Sequence, residues 1–364
     1  VNVLTKTPYP VFLTHLSPGS TGTILMVPPK YIAEKGDAYF ADNPVGTGPY
    51  KFAEWVRGNN VRFVANEAYW RGAPAIGQVT FRFVPEPSTR ISALLAGDLT
   101  LIQNVPPDLV PLVRKNPKTG TAVSESGGLV MMMQLTPAAH PALADKRVRK
   151  AMNHAVDIDT IIETLLGGMA SRRTVPVDPG AVGANPNLKP YAFDVDRAKK
   201  LMAEAGYANG FALDVYTSDG RYVSDRPIAD AYAEYLAAIG IKINVRSMEW
   251  AQLVTAMAKR QGGPMYQIGW SFAEGDVFKL KAALHPEARY STFDNKEFGD
   301  LIDKAETSMD PEARRKFWWQ AQEILVEEAP FVHAWQPHVI FGKSNQLDWT
   351  ATGEAFFLYD MKLK

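Results

Sequence analysis

FALDVYTSDGRYVSDRPIADAYAEYLAAIGIKINVRSMEWAQLVTAMAKRQGGPMYQIGWS, residues 211–271, decides the fold class of this 364-residue chain. Phe211–Thr217 reads as a strand, Pro227–Ile239 as a helix, Ile241–Arg246 as a strand, Trp250–Arg260 as a helix and Tyr266–Ser271 as a strand. Short runs of β-branched and aromatic residues alternate with longer segments of helical spacing, which is the βαβαβ pattern. Parallel strands need crossover helices, so a mixed or parallel sheet with covering helices is expected.

Upstream, DKRVRKAMNHAVDIDTIIETLLGG (145–168) holds two helices, with Val148, Ala151, Met152 and Ala155 on one face and Gly167-Gly168 as the stop. Asp194 caps the next helix. Closer to the N-terminus, YKFAEW and VRFVAN flank Gly58-Asn59-Asn60 as a hairpin. Val79–Val84 is a strand, Pro87–Ala96 a helix with Ser88 as its cap and Gly97 as its stop, LTLIQNV a strand, and Pro106–Lys115 a helix. Strands follow near 121–126 and at Leu129–Leu135. The opening run from Val1 reads as a strand, followed by Pro-rich loops to Gly48. Downstream, helices near 295–307 and 311–328 precede strands at Val332–Trp335 and Val339–Phe341. No internal repeat or low-complexity segment is present.

Composition excludes several classes. Lys+Arg 39 and Asp+Glu 39 cancel, and no basic stripe of the kind a nucleic-acid binder carries occurs. No run approaches the ~18 apolar residues of a membrane span. With no cysteine, disulfides and thiolate chemistry are absent. The first residues lack a basic then apolar signal-peptide pattern. DNPVGTGPYKFAEW (42–55) is glycine-rich, but Pro49-Tyr50 follow Gly48 where a phosphate loop needs Lys-Ser/Thr, and a strand follows rather than a helix. It reads as a turn in which glycines supply unusual φ values and Pro49 fixes the approach to Tyr50. The six histidines (15, 140, 154, 285, 333 and 338) form no metal or catalytic motif; His154 reads as a packed or capping residue. Asp157 and Asp159 read as helix caps, and Glu327-Glu328 as a solvated helix face. No nucleophile elbow occurs, so no catalytic site, metal or cofactor is expected.

Several stretches, in order, carry a resemblance. NPVGTGPYKFAEW is similar to a P-x-G-T-G-P-Y turn. NEAYWRGAPAIGQVTFRFVPEPSTRISALLAGDLTLIQNVPP resembles a block running from N-x-x-Y-W to A-G-D and VPP. DKRVRKAMNHAVD, AKKLMAEAGYANGFALDVYT and DGRYVSDRPIADAYAEYLAAIGIKINV resemble further blocks of the same family. By these motifs the chain is identified as a member of the extracellular solute-binding proteins of the dipeptide- and oligopeptide-binding family, family 5, of ABC transporters. The resemblance implies an α/β, two-lobed periplasmic-binding-protein (Venus flytrap) fold with mixed sheets and a ligand cleft between the lobes. It implies lobe I at 1–137 and 336–364, partial and discontinuous, and lobe II at 138–335. Family members carry a long segment before the region matching Val1, so a chain lacking its N-terminal segment is expected.

The function implied is capture of a peptide or related small organic solute for an ABC permease in the membrane. The setting would be periplasmic, or extracellular and membrane-associated, with the protein a monomer and no nucleic acid involved. Two other classes stay open: the ligand-sensing domain of a regulator on the same fold, and a hydrolase. The family's cleft aromatics match Trp250 and Trp270, each of which the sequence alone also allows as core. Peptide binders of the family place an aspartate where this chain has Ala273; Glu274 or Asp276 is the available substitute, and Phe272 lies in the same stretch. Arg221, after a strand and a Gly turn, is either a surface arginine or a bidentate carboxylate partner, with Tyr222 stacking beside it. Arg221 and Ala273 together favour a carboxylate ligand over one defined by a free amine. Asn104 and Ser126 are the remaining ligand-binding candidates.

Overall fold

A computed structural model describes residues 2–16, 25–218, 220–271, 276–353 and 357–364. Its strands are β1 Tyr50–Val56, β2 Asn60–Ala65, β3 Gln78–Arg82, β4 Leu101–Ile102, β5 Thr119–Ser124, β6 Leu129–Leu135, β7 Ala170–Arg173, β8 Phe211–Thr217, β9 Ile241–Ser247, β10 Met265–Ser271, β11 Phe331–Pro337, β12 Val339–Ser344, β13 Leu347–Asp348 and β14 Lys362–Leu363. They fall into two compact units. The larger comprises Val1–Thr21 with Glu125–His338, the smaller Gly22–Ser124 with Val339–Lys364. The expected boundaries at 137 and 336 therefore move to 124/125 and 338/339. The cause is β6: it pairs with both β10 and β11, so it is an inner strand of the larger unit's sheet.

That sheet has the order β7-β11-β6-β10-β8-β9. β8 runs parallel to β9 and to β10, as the βαβαβ pattern requires. β6, β11 and β7 are antiparallel additions, which make the sheet mixed. Helix Asp225–Ala237 packs in the cluster on one face, with Met131, Met133, Val215 and Met265. Helices Trp250–Ala258 and Pro311–Glu328 pack in the cluster on the other, with Val130, Met132, Tyr266 and Ile268. A strand covered on both faces cannot alternate apolar with polar, and this is why LVMMMQL is almost wholly apolar and all but Leu129 buried. The chain goes outward from β8 to β9 and back across to β10, so right-handed crossovers must place the two connecting helices on opposite faces.

Among its described residues the smaller unit holds two three-stranded sheets, β1-β2-β3 and β4-β12-β5, and the short β13-β14 pair. The expected hairpin is β1-β2, closed by the Asn59 N–H donating to Val56 O at 2.9 Å. Helix Pro87–Ala96 ends at Gly97 in the left-handed region, but Ser88 does not cap it: Glu86 holds the cap position and the Ser88 hydroxyl donates to that side chain. The opening run carries no strand among its described residues; its first regular element is helix Phe12–His15, and helices Pro29–Lys35 and Asp37–Asp42 occupy the stretch read as loop. Gly46 and Gly48 both keep ordinary φ values, and a methyl added at either would meet nothing within 4 Å. The turn is held instead by Asn66, whose N–H donates to Pro49 O at 2.9 Å and whose Nδ2 donates to Gly48 O at 3.2 Å.

Candidate functional site

Parallel strands deliver their following loops to one edge of a sheet, and ligands of open α/β sheets bind there. In the larger unit that edge gathers the ends of β8, β9 and β10. β6 starts at the same edge, with Val130 opposite Trp270 and Leu129 opposite Ser271. Gly127 and Gly128, just before β6, both have positive φ, 83° and 75°. Gln336, near the end of β11, donates from Nε2 to Gly127 O at 2.7 Å.

The loop after β8 is organised by Asp225, 5% exposed. Its Oδ2 accepts from the Ser218 hydroxyl (3.1 Å), the Arg221 N–H (3.2 Å) and the Tyr222 N–H (3.4 Å), while Oδ1 accepts from the Arg226 N–H (2.9 Å). A buried carboxylate so surrounded is stabilised by charge-assisted hydrogen bonds and fixes the backbone that carries the next side chains. Tyr222 turns inward. β8 pairs with β10 only at Met265 and Tyr266; beyond that the two strands part, and the Gly269 N–H donates to the Tyr222 hydroxyl at 3.1 Å. Burial pushes the Tyr222 phenol pKa up. Glycine at 269 leaves room for its neighbours: a Cβ there would lie 2.5 Å from Met131 Sδ and 3.2 Å from Leu129 Cβ, so the Met131 side chain would have to shift.

Arg221 stays exposed. Its guanidinium lies 5.1 Å from the Tyr222 ring and 5.4 Å from the Trp250 ring. The two rings meet edge to face at 5.6 Å. Among the described residues no carboxylate lies within ion-pair distance of Arg221. Gly220, Arg221, Ser247, Met248, Glu249 and Trp250 line an open cavity of about 510 Å³. A guanidinium within cation–π distance of two aromatic rings is attracted by their ring quadrupoles, and with no carboxylate bound to it among the described residues its donors are open to a ligand carboxylate.

Trp250 and Trp270 are both partly buried against the same core cluster, so each is a rim residue. Trp270 packs on Tyr290 at 5.9 Å, and its indole Nε1 is buried without an acceptor among the described residues. Ser126 lies exposed beside Gly127 on the strand-end edge. Asn104 belongs to the smaller unit, where it is exposed with φ 53° and its carbonyl accepts from Arg90 at 3.3 Å. Asp276, 3% exposed, is occupied: Arg314 Nη2 donates to both its oxygens at 3.0 and 2.9 Å, and the Phe278 N–H donates to Oδ1. Phe272, Ala273 and Glu274 lie outside the described residues. Sequence reasoning missed Asp225, Glu249 and Tyr290. Only Asp225 carried a signal, an acid just after the S-D-G-R-Y-V-S turn. Among the described residues no group of three His, Asp or Glu side chains is placed to hold a metal.

The model of the bacterial extracellular solute-binding proteins, family 5 (middle region), matches residues 1–281, and the chain belongs to that family. The family consists of solute-binding proteins, not enzymes. Heme-binding protein A of Haemophilus influenzae is 31% identical over 299 residues, which cover 79% of this chain and 54% of that protein. The chain thus spans about half the length of that relative. The glutathione-binding protein of Escherichia coli strain K12 is 25% identical, covering 100% of this chain and 72% of that one. Among solved structures, an ABC transporter-associated periplasmic binding protein from Helicobacter pylori, in complex with the peptide STSA, superposes with a TM-score of 0.78 at 26% identity, covering 98% of this chain and 71% of the other. A transporter substrate-binding protein from Listeria monocytogenes shares the fold with a TM-score of 0.89 at 21% identity, covering 98% and 74%. Among the described residues no helix is long and apolar enough to cross a membrane.

Proposed function

We propose that this chain captures a peptide or related small organic solute for an ABC importer, in the periplasm or at the outer face of the cell membrane, and passes it to a membrane permease as a monomer. The family membership supports the transport role. The observation that carries the binding reading is Arg221: a guanidinium without an ion-pair partner among the described residues, 5.1 Å from the Tyr222 ring and 5.4 Å from the Trp250 ring, lining an open cavity. In this reading the ligand's carboxylate takes the bidentate donor edge of Arg221, and its apolar body lies against Trp250 and Trp270. The loop pinned by Asp225 holds Arg221 in place before the ligand arrives, which limits the ordering cost of binding. Native mass spectrometry of the full-length protein purified from its own cells tests this. The expected result is a bound small molecule bearing a carboxylate. A co-purified ligand whose calorimetric affinity is unchanged by Arg221→Ala overturns the reading.

A further inference from the structure

Two charges of opposite sign face the same cavity without neutralising each other. Arg221 and Glu249 both line it, and no ion pair is seen between these two described residues. Glu249 is the cap of helix Trp250–Ala258: one oxygen, Oε2, accepts from the Gln252 N–H at 3.1 Å. The second oxygen is left over for another donor. An ammonium is the donor that a carboxylate on a cavity wall takes best, because the hydrogen bond is charge-assisted on both sides. Of the two acids that the sequence offers for that task, Asp276 is buried and held by Arg314, and Glu274 lies outside the described residues. Glu249 is the one carboxylate among the described residues that line this cavity with Arg221.

From this we infer that the cavity takes a compact zwitterion, a solute with its carboxylate and its ammonium close together as in an α-amino acid, and that Glu249 is the residue that selects for the ammonium. The inference rests on the Arg221 reading above and deepens it. The sequence alone favours a ligand without a defining amine; the juxtaposition of Glu249 with Arg221 restores one. Trp250 and Met248 line the same space and would pack on the solute's apolar part.

The test uses the full-length protein freed of endogenous ligand and three probe pools in a thermal-shift assay. The pools are the twenty proteinogenic L-amino acids, the same amino acids N-acetylated, and the same as carboxamides. The free pool is expected to raise the melting temperature, and both blocked pools to fail. For the responding amino acid, Glu249→Gln should weaken binding by about ten-fold or more, the size of a charge-assisted hydrogen bond. Gln keeps an oxygen for the Gln252 N–H, so the apo melting temperature should stay near that of the wild type. If Glu249→Gln lowers apo stability, the free and acetylated pools on the wild type decide alone. An acetylated pool as effective as the free one, or full affinity in Glu249→Gln, overturns the zwitterion and leaves the Arg221 reading standing. A response that survives Arg221→Lys and Arg221→Ala overturns both. No response to any pool overturns the compact zwitterion, while binding of larger carboxylates to the same protein would still support Arg221.

Discussion

β6 and β1 are both seven residues long, yet β6 is buried at six of its positions and β1 at none. The first lies inside a six-stranded sheet with helices on both faces; the second edges a three-stranded sheet whose aromatic ladder, Phe52, Phe63 and Phe81, is only partly covered. The larger unit puts its binding energy into a sheet core and leaves its strand ends to carry polar loops. In the smaller unit large apolar side chains stand at the surface, Trp70 at 79% and Phe83 at 49% exposed. The contrast teaches that rigidity and chemistry are separated within the larger unit: the core fixes where the strands end, and the loops at those ends hold the charges.

The contrast breaks most directly on a pair of tryptophans. Trp335 is 1% exposed in the larger unit's core, and Trp335→Ala should cost ~4 kcal/mol by urea denaturation. Trp70→Ala should stay within about 0.5 kcal/mol. Equal losses would show that the smaller unit's surface aromatics are covered in solution. Trp270 lies between these cases. Trp270→Ala should weaken binding of the mass-spectrometrically identified ligand by ~2 kcal/mol or more, with less loss of apo stability than Trp335→Ala. A large apo loss with unchanged affinity would make it a core residue.

A third prediction sharpens the comparison through pH. His333 sits at a bulge in β11 with φ 53°, donates from Nε2 to Val156 O at 3.1 Å, and is 4% exposed. Burial, with repulsion from Arg172 second, lowers its pKa from 6.5 to about 3. The folded state therefore binds this proton less readily than the unfolded chain. The stability is present above pH 6.5 and is lost as pH falls from there toward 3, at ~1.4 kcal/mol per pH unit. At about pH 5 the loss should be ~2 kcal/mol relative to pH 7.5. His333→Gln should flatten this part of the urea-midpoint profile, and identical slopes in both proteins would remove His333 as its source. The smallest effect on ligand binding is expected at the exposed loop. Arg221→Lys keeps the charge but loses the planar fork, and should weaken ligand binding by ~1 kcal/mol in calorimetry. Equal affinity for the wild type, Arg221→Lys and Arg221→Ala would show that the arginine does not touch the ligand.

Much of the larger unit was legible because its signals are local. The apolar run of β6, the strands and helices between 211 and 271, the Asp194 cap and the helix Pro311–Glu328 follow from periodicity, caps and stop residues within a few positions. The partners of Arg221 were half legible: Tyr222 adjoins it, and Trp250 is brought over it only when β8 and β9 lie side by side. Phe272 and Glu274, chosen from the same stretch as Trp270, fall outside the described residues.

By itself the sequence determined the class of fold, the ends of most strands and helices and the family, because chain stereochemistry and side-chain period act between near neighbours. It misread the Gly46–Gly48 turn, whose geometry depends on Asn66, and the opening run, which holds a helix where a strand was expected. Only the tertiary structure decided which acids remain available at the strand-end edge. Asp276 is withdrawn by Arg314, 38 residues further on, while Glu249 reaches Arg221's cavity from the next loop. A carboxylate's role depends on which cation comes within a few ångströms of it, and that distance is set by the packing of strands and helices far apart in the chain.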